Sequence, residues 1–158
     1  MLTFRKAMAT DMLLYFEWAN DEEVRQQSFQ SNPISLEGHK KWFTDKISDP
    51  DCIMLLFEDD HNIPVGQIRF QKQDESGYVI GISIDKSCRG KGYAVMLLQQ
   101  SSDYFLKLHP DKMIYAFIKK ENIASVRSFA NAGFGLNETL FTDEKSVLYT
   151  KQIKNENS

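Results

Sequence analysis

Residues 78–108 read YVIGISIDKSCRGKGYAVMLLQQSSDYFLKL. The run from Tyr78 to Ile84 is short, apolar, rich in β-branched side chains and closed by Asp85, which is the pattern of a buried strand. Beyond it, Ala94, Leu97, Leu98, Tyr104, Phe105 and Leu108 are spaced as on one face of a helix. Between the two lies Lys86-Ser87-Cys88-Arg89-Gly90-Lys91-Gly92-Tyr93, so a strand passes through a glycine loop into a helix. That geometry aims unpaired backbone N–H groups and the positive end of a helix dipole at one place, which makes an anion socket. Gly90 and Gly92 permit positive φ and close approach to a phosphate, while Arg89 and Lys91 place charge at the rim. The loop lacks G-x-x-x-x-G-K-[ST] and the third glycine of a dinucleotide fingerprint, which excludes two common phosphate-binding patterns. Cys88 reads as a small loop residue.

Working outward, the 158 residues suit one sizeable core, so the expectation is a single domain over 1–158. Hydrophobic content of 42% and charged content of 26% are ordinary for a globular chain. No apolar run approaches the roughly 20 residues of a membrane span, and the N-terminus has no apolar signal segment. A cytoplasmic protein with no membrane partner is expected. A net charge of −3 and the lack of a long basic run argue against nucleic acid. Cys52 and Cys88 form no C-x-x-C, and His39, His61 and His109 are scattered, so no metal is expected.

In chain order, residues 2–5 read as a strand, and Thr10-Asp11 as the cap of a helix carrying Leu13, Leu14, Phe16 and Trp18. A short helical piece follows over 21–26, and a third helix starts at Ser35 with Trp42, Phe43 and Ile47 on one side. Residues 53–58 and 63–71 read as strands around a turn at 59–62, the second interrupted by Pro64 and Gly66 with a bulge at the glycine. After a turn at 73–77 comes the strand quoted above. His109-Pro110-Asp111 breaks the long helix, and residues 113–118 form a fifth strand, parallel to the fourth because a helix connects them. A helix over 122–132 ends at Gly133, residues 134–141 and 146–151 form a final hairpin, and residues 155–158 read as a frayed end.

Arg89-x-x-Gly92-x-Ala94 resembles the R/Q-x-x-G-x-G/A loop of the GCN5-related N-acetyltransferases (GNAT), which holds the pyrophosphate of acetyl-coenzyme A. The stretch NIASVRSFANAGF at 122–134 resembles the second landmark of that family, an Asn opening a helix that a Gly-Phe pair closes. The resemblance implies an α/β (α+β) GNAT fold: a mixed, mostly antiparallel sheet of six to seven strands, a parallel and splayed fourth and fifth strand, and helices on both faces. It further implies an acetyl-CoA-dependent N-acetyltransferase needing no metal. Ile82, Ser83, Ile84, Arg89, Gly90, Lys91, Gly92, Tyr93, Ala94, Asn122, Ser125 and Phe129 would bind the coenzyme, with a backbone N–H near Ile84 facing the oxyanion.

The family often has a Tyr acid where this chain has Phe129, and a Glu where it has Val79. Ser125 or Tyr115 could then donate to sulfur, and Glu75 or His39 could accept a proton through water. A weak base suits a weakly basic amine, since an α-amino group titrates near 7.7–8.0 against about 10.4 for lysine. The segment Trp18-Ala19-Asn20-Asp21-Glu22-Glu23-Val24-Arg25, with Ser28, His39 and Trp42 beyond it, is similar to the sugar-nucleotide 4-amino N-acetyltransferases of pseudaminic acid biosynthesis. It is also similar to enzymes acting on ribosomal-protein N-termini. The resemblance implies that Arg25, Ser28, His39 and Trp42 face the acceptor, Arg25 pairing with a phosphate and Trp42 stacking on a base or sugar. The expected acceptor is a UDP-linked 4-amino sugar. Protein N-termini, other small amines, a homodimer through the final hairpin, and a non-catalytic acyl-CoA sensor stay open at this point.

Overall fold

The computed structural model describes residues 1–153. In order the elements are β1 (Thr3–Lys6), α1 (Met12–Ala19), α2 (Glu22–Gln27), α3 (Leu36–Ile47), β2 (Cys52–Glu58), β3 (Pro64–Lys72), β4 (Gly77–Ile84), α4 (Tyr93–Leu108), β5 (Met113–Lys119), α5 (Ile123–Asn131), β6 (Gly135–Leu136) and β7 (Ser146–Lys151). The seven strands order β1-β2-β3-β4-β5-β7-β6. β4 and β5 run parallel, whereas β1 with β2, β5 with β7 and β6 with β7 are antiparallel. This is the mixed, mostly antiparallel sheet that the sequence led us to expect. The chain forms two compact units, Met1–Arg69 with Ile82–Tyr93, and Phe70–Gly81 with Ala94 onward.

In the first unit, Tyr15, Trp18, Phe43, Met54 and Leu56 form a buried cluster, against which Met12, Leu14, Trp42, Ile47 and Cys52 pack. Asp11 does not cap α1 with its side chain as expected. It is buried instead, accepting two hydrogen bonds from Arg5 at 2.9 and 3.0 Å and one from the Met8 N–H at 2.7 Å. Burial works to raise the Asp11 pKa, yet these donors hold it below the ordinary value. Asp21 caps α2 and Ser35 caps α3 through their side-chain oxygens. β3 is continuous, contrary to the expected interruption: Pro64 takes its first position, where a missing N–H costs the ladder least.

In the second unit, α4 buries Leu97, Leu98, Ser101, Ser102, Phe105 and Leu106. Phe105 stacks on Phe70 at 4.6 Å and meets Tyr78 edge-on at 4.9 Å. Leu108, expected on the buried face, is 54% exposed, because the helix ends there and the stripe passes to Leu106. The parallel ladder pairs Gly77, Tyr78 and Val79 with Met113, Ile114 and Tyr115. Lys151 donates to Ser102 Oγ at 2.7 Å and to the Ala132 carbonyl at 2.9 Å, tying β7 to α4 and to the end of α5. The expected strand over 134–141 shrinks to β6, since Phe134 turns inward and the Asn137 side chain accepts from the Leu140 N–H, bending the chain away. The fraying expected at 155–158 lies outside the described residues. No helix is long and apolar enough to cross a membrane, and no group of metal-ligating side chains occurs among the described residues.

Candidate functional site

The junction from β4 to α4 is fixed by one carboxylate. Asp85 accepts from Trp18 Nε1 at 2.8 Å and from the Ser87 N–H at 3.0 Å, and its own N–H donates to the Val65 carbonyl at 2.8 Å. Burial would raise its pKa, but the donors from Ser87 and Trp18 and the charge of Arg89 lower it. A 3-10 turn over Lys86–Cys88 follows, then Arg89 in extended backbone, and then two left-handed glycines, Gly90 at φ 76° and Gly92 at φ 79°. Nothing lies within 4 Å of where a Cβ would sit on either glycine, so both face open space. Residues 90–92 are exposed, and among the described residues their N–H groups donate to no acceptor. α4 begins at Tyr93, adding first-turn N–H groups that a helix cannot satisfy internally. The result is a set of backbone donors at the positive end of a sixteen-residue helix, suited to a diphosphate.

The charge at the rim differs from expectation. Arg89 gives Nη2 to Asp21 at 2.7 Å and Nη1 to Glu23 at 3.0 Å, so its guanidinium bolts the loop to the start of α2. Burial tends to raise the Asp21 pKa, and the hydrogen bond from Arg89 with those from the α2 backbone brings it below normal. Lys91 stays exposed at the rim, and Tyr93 and Ala94 are half-buried. Ile82, Ser83 and Ile84 are half-buried too, unlike Tyr78 and Ile80, and Ser83 Oγ accepts from Gln67 Nε2 at 3.1 Å.

In the second unit, Asn122 caps α5, its side-chain oxygen accepting the Ser125 N–H at 3.2 Å. Ser125 is half-buried, while Phe129 is buried edge-on to Phe134 at 5.0 Å. Tyr115 is 7% exposed and gives its hydroxyl to Asp74 at 3.3 Å; burial first, then the Asp74 charge, raises its pKa. Glu75 is exposed and pairs with Lys72 at 3.1 Å. Tyr115 thus stands on β5 beside Val79 and reaches the turn that precedes β4 through its hydroxyl, and Glu75 lies in that turn.

The residues expected to face the acceptor are mostly committed to the fold. His39 is 2% exposed, with Nε2 at 3.1 Å from the Met12 carbonyl and its ring among Phe16, Trp42 and Phe43. Burial lowers its pKa, so it is a neutral core residue and no relay to water. Arg25 donates to the Gln30 and Asn32 carbonyls at 3.1 and 3.4 Å and to Ser28 Oγ at 3.1 Å, while Ser28 donates to the Val24 carbonyl at 2.7 Å. Arg25 and Ser28 therefore fasten the loop after α2. Trp42 is half-buried with the Arg69 guanidinium 5.0 Å from its ring centre, so one ring face is occupied. The sequence reading missed Arg69, and also Tyr15, whose buried hydroxyl has no partner. The signal was there in principle: Arg69 is a charge inside an alternating strand. A cavity of about 290 Å³, lined among others by Lys6, Lys46, Cys52 and Met54, includes none of the expected site residues.

Residues 1–135 match the family model described as acetyltransferase (GNAT) domain. No curated protein sequence matches the chain. Among solved structures, spermidine N-acetyltransferase from Vibrio cholerae in complex with CoA and spermine has a TM-score of 0.80 at 20% identity, covering 94% of this chain and 92% of its own. A domain from Methanocaldococcus jannaschii scores 0.80 at 21% identity, covering 97% and 99%. An aminoglycoside acetyltransferase in complex with coenzyme A and kanamycin scores 0.79 at 15% identity, covering 96% and 95%.

Proposed function

Given that the chain belongs to the acetyltransferase (GNAT) domain family and is an acetyl-CoA-dependent N-acetyltransferase, we propose that its acceptor is the 4-amino group of a UDP-linked amino-dideoxy sugar. The observation that carries the coenzyme reading is the pair of left-handed glycines at the start of α4, with exposed N–H groups and no Cβ in the way. In this reading the N–H groups from Arg89 to Ala94, with Lys91 at the rim, hold the diphosphate. Main-chain groups of Ile82, Ser83 and Ile84 hold the pantetheine amides, and Asn122, Ser125 and Phe129 contribute from α5. Bound there, the thioester supplies an activated acetyl group that a neutral amine attacks directly. The Ile84 N–H stabilises the oxyanion, the Ser125 hydroxyl gives a proton to the departing sulfur, and the proton that the attacking nitrogen sheds returns through water to the Ser125 oxygen, leaving amide and free thiol.

Support for a weakly basic acceptor comes from His39. It is closed off in the core, leaving no strong base among the candidates to take a proton from a lysine-like amine. A small-amine acceptor has support of equal weight, since the neighbours described above carry spermine or kanamycin in their complexes. Acetyl transfer to UDP-linked 4-amino sugars, ribosomal-protein N-terminal peptides and spermidine, followed by amine-dependent release of free coenzyme A, tests the choice. Turnover restricted to spermidine or to peptides overturns the sugar-nucleotide acceptor. Coenzyme binding with no release against any amine would leave a sensor.

A further inference from the structure

The first unit contains a cation with no counter-charge. Arg69 lies on β3, two residues from Gln67 and so on the same face of the strand. Its guanidinium stacks over Trp42, and among the described residues no carboxylate acts on it; the groups that do are the Cys52 thiol and the Tyr15 hydroxyl. Burial lowers the Arg69 pKa, and the Tyr15 pKa is raised by burial of its hydroxyl, which Arg69 partly offsets. The Tyr15 oxygen is shut away from water and makes no hydrogen bond.

Arg69, over Trp42, and Tyr15 thus belong to one aromatic cluster under α1 and α3, the cation without a carboxylate and the hydroxyl without a hydrogen bond. A cation–π contact does not replace the hydration that an enclosed guanidinium loses, and an orphaned buried hydroxyl is costly in its own right. Arg69 itself keeps part of its surface exposed, with the Tyr15 hydroxyl enclosed behind it in the cluster. A donor fork over an aromatic wall, with a phenol in the same cluster, fits a phosphate or carboxylate group.

We propose that Arg69 and Tyr15 form a binding site for an anionic group, carboxylate or phosphate, carried by the amine that this enzyme acetylates. The assignment to the acceptor rests on the acetyltransferase reading above. It moves the task of holding the acceptor's negative charge from Arg25, whose two Nη groups hold the loop after α2, to Arg69. It also sets this chain apart from a site built for a polycation, because an unpaired arginine repels one.

The test titrates the full chain with inorganic phosphate, acetate and spermidine, read by tryptophan fluorescence, in the wild type, Arg69→Met and Tyr15→Phe. Saturable binding of phosphate or acetate that weakens about tenfold or more in Arg69→Met and about threefold in Tyr15→Phe supports the site. Phosphate alone would point to a nucleotide-type acceptor, acetate alone to an amino-acid or peptide acceptor. Anion binding absent from the wild type, or unchanged in both variants, overturns it. The melting temperature separates a structural arginine from a binding one: Arg69→Met should melt no lower than the wild type, since removing an unpaired buried charge does not weaken a fold. A drop of several degrees with unchanged anion affinity overturns the proposal, leaving only the Trp42 contact. Should Arg69→Met not fold, the threefold loss in Tyr15→Phe decides.

A second arm measures acetyl transfer to matched pairs, 2-aminoethyl phosphate against ethanolamine and β-alanine against propylamine. The charged member should be preferred by the wild type and not by Arg69→Met. Equal use of both members overturns the anion site while the acetyltransferase reading stands. Anion binding without transfer to any amine does the reverse.

Discussion

Arg89 and Arg69 belong to the same compact unit and solve opposite problems. Arg89 has two carboxylates within 3.0 Å and acts as a bolt between the glycine loop and α2. Arg69 has none among the described residues and rests on an aromatic ring. The difference teaches where recognition is done by backbone and where by side chain. At the loop, the cation is already neutralised, so a diphosphate is left to the N–H groups and the helix dipole. Under α1 and α3 the side-chain cation is what a ligand would meet.

The largest effect should come from breaking the backbone half of that contrast. Gly92 sits at φ 79°, where a β-branched residue is strained. Gly92→Val should cost roughly 1–3 kcal/mol locally or tip the donors out of line, lowering coenzyme A affinity on the order of 10- to 100-fold by calorimetry. The fold should survive, because nothing lies within 4 Å of the new Cβ. Undiminished affinity would mean that the loop amides do not hold the diphosphate.

A smaller effect sharpens the role of Arg89. If it is a bolt, Arg89→Ala should destabilise by about 1 kcal/mol, as for a partly exposed charge-assisted pair, Asp21→Ala by about 1 kcal/mol more because it also removes the α2 cap, and each should weaken coenzyme A only about threefold. The folded-state pKa of Asp21 is depressed, so its contribution is complete above the unfolded carboxylate value near 3.9 and is lost as pH falls through the lower folded value. Urea midpoints of the wild type and Asp21→Ala should therefore converge below about pH 4. Loss of coenzyme A affinity in Arg89→Ala as large as in Gly92→Val, with a steep salt dependence, would make Arg89 a phosphate ligand after all.

The same contrast explains what could be read from the chain alone. β4, the loop and α4 were legible because each is decided locally: a β-branched run, two glycines at positive φ, and a helical apolar stripe. The caps Ser35 and Asn122 were legible for the same reason. The strand expected at 134–141 was not, because an Asn137 side chain outcompetes strand pairing there. Nor were the partners of the charged groups. Arg25 stands in a familiar-looking motif and gives its Nη1 to loop carbonyls, whereas Arg69 looks like an ordinary polar position of an alternating strand. Which of them is left without a partner depends on how α1 and α3 cover the sheet, and periodicity does not encode that.

The smallest effect concerns His39, which tests whether those helices exclude charge except at Arg69. Buried against Met12 and three aromatic rings, His39 has a folded pKa below the ordinary histidine value, with burial as the cause. Protonation therefore favours the unfolded chain. The stability it contributes is complete above the unfolded value near pH 6.5 and declines as pH falls through that value toward the folded one, by at most about 1.4 kcal/mol per pH unit. Urea midpoints measured from about pH 7.5 to 5.5 should fall in the wild type and stay level in His39→Phe, which fills the same aromatic cluster without a titrating group. If both chains lose stability together, the proton goes elsewhere. If the wild type gains stability on acidification, His39 is charged when folded, a second cation lies under the helices beside Arg69, and an anionic acceptor would have two partners there instead of one.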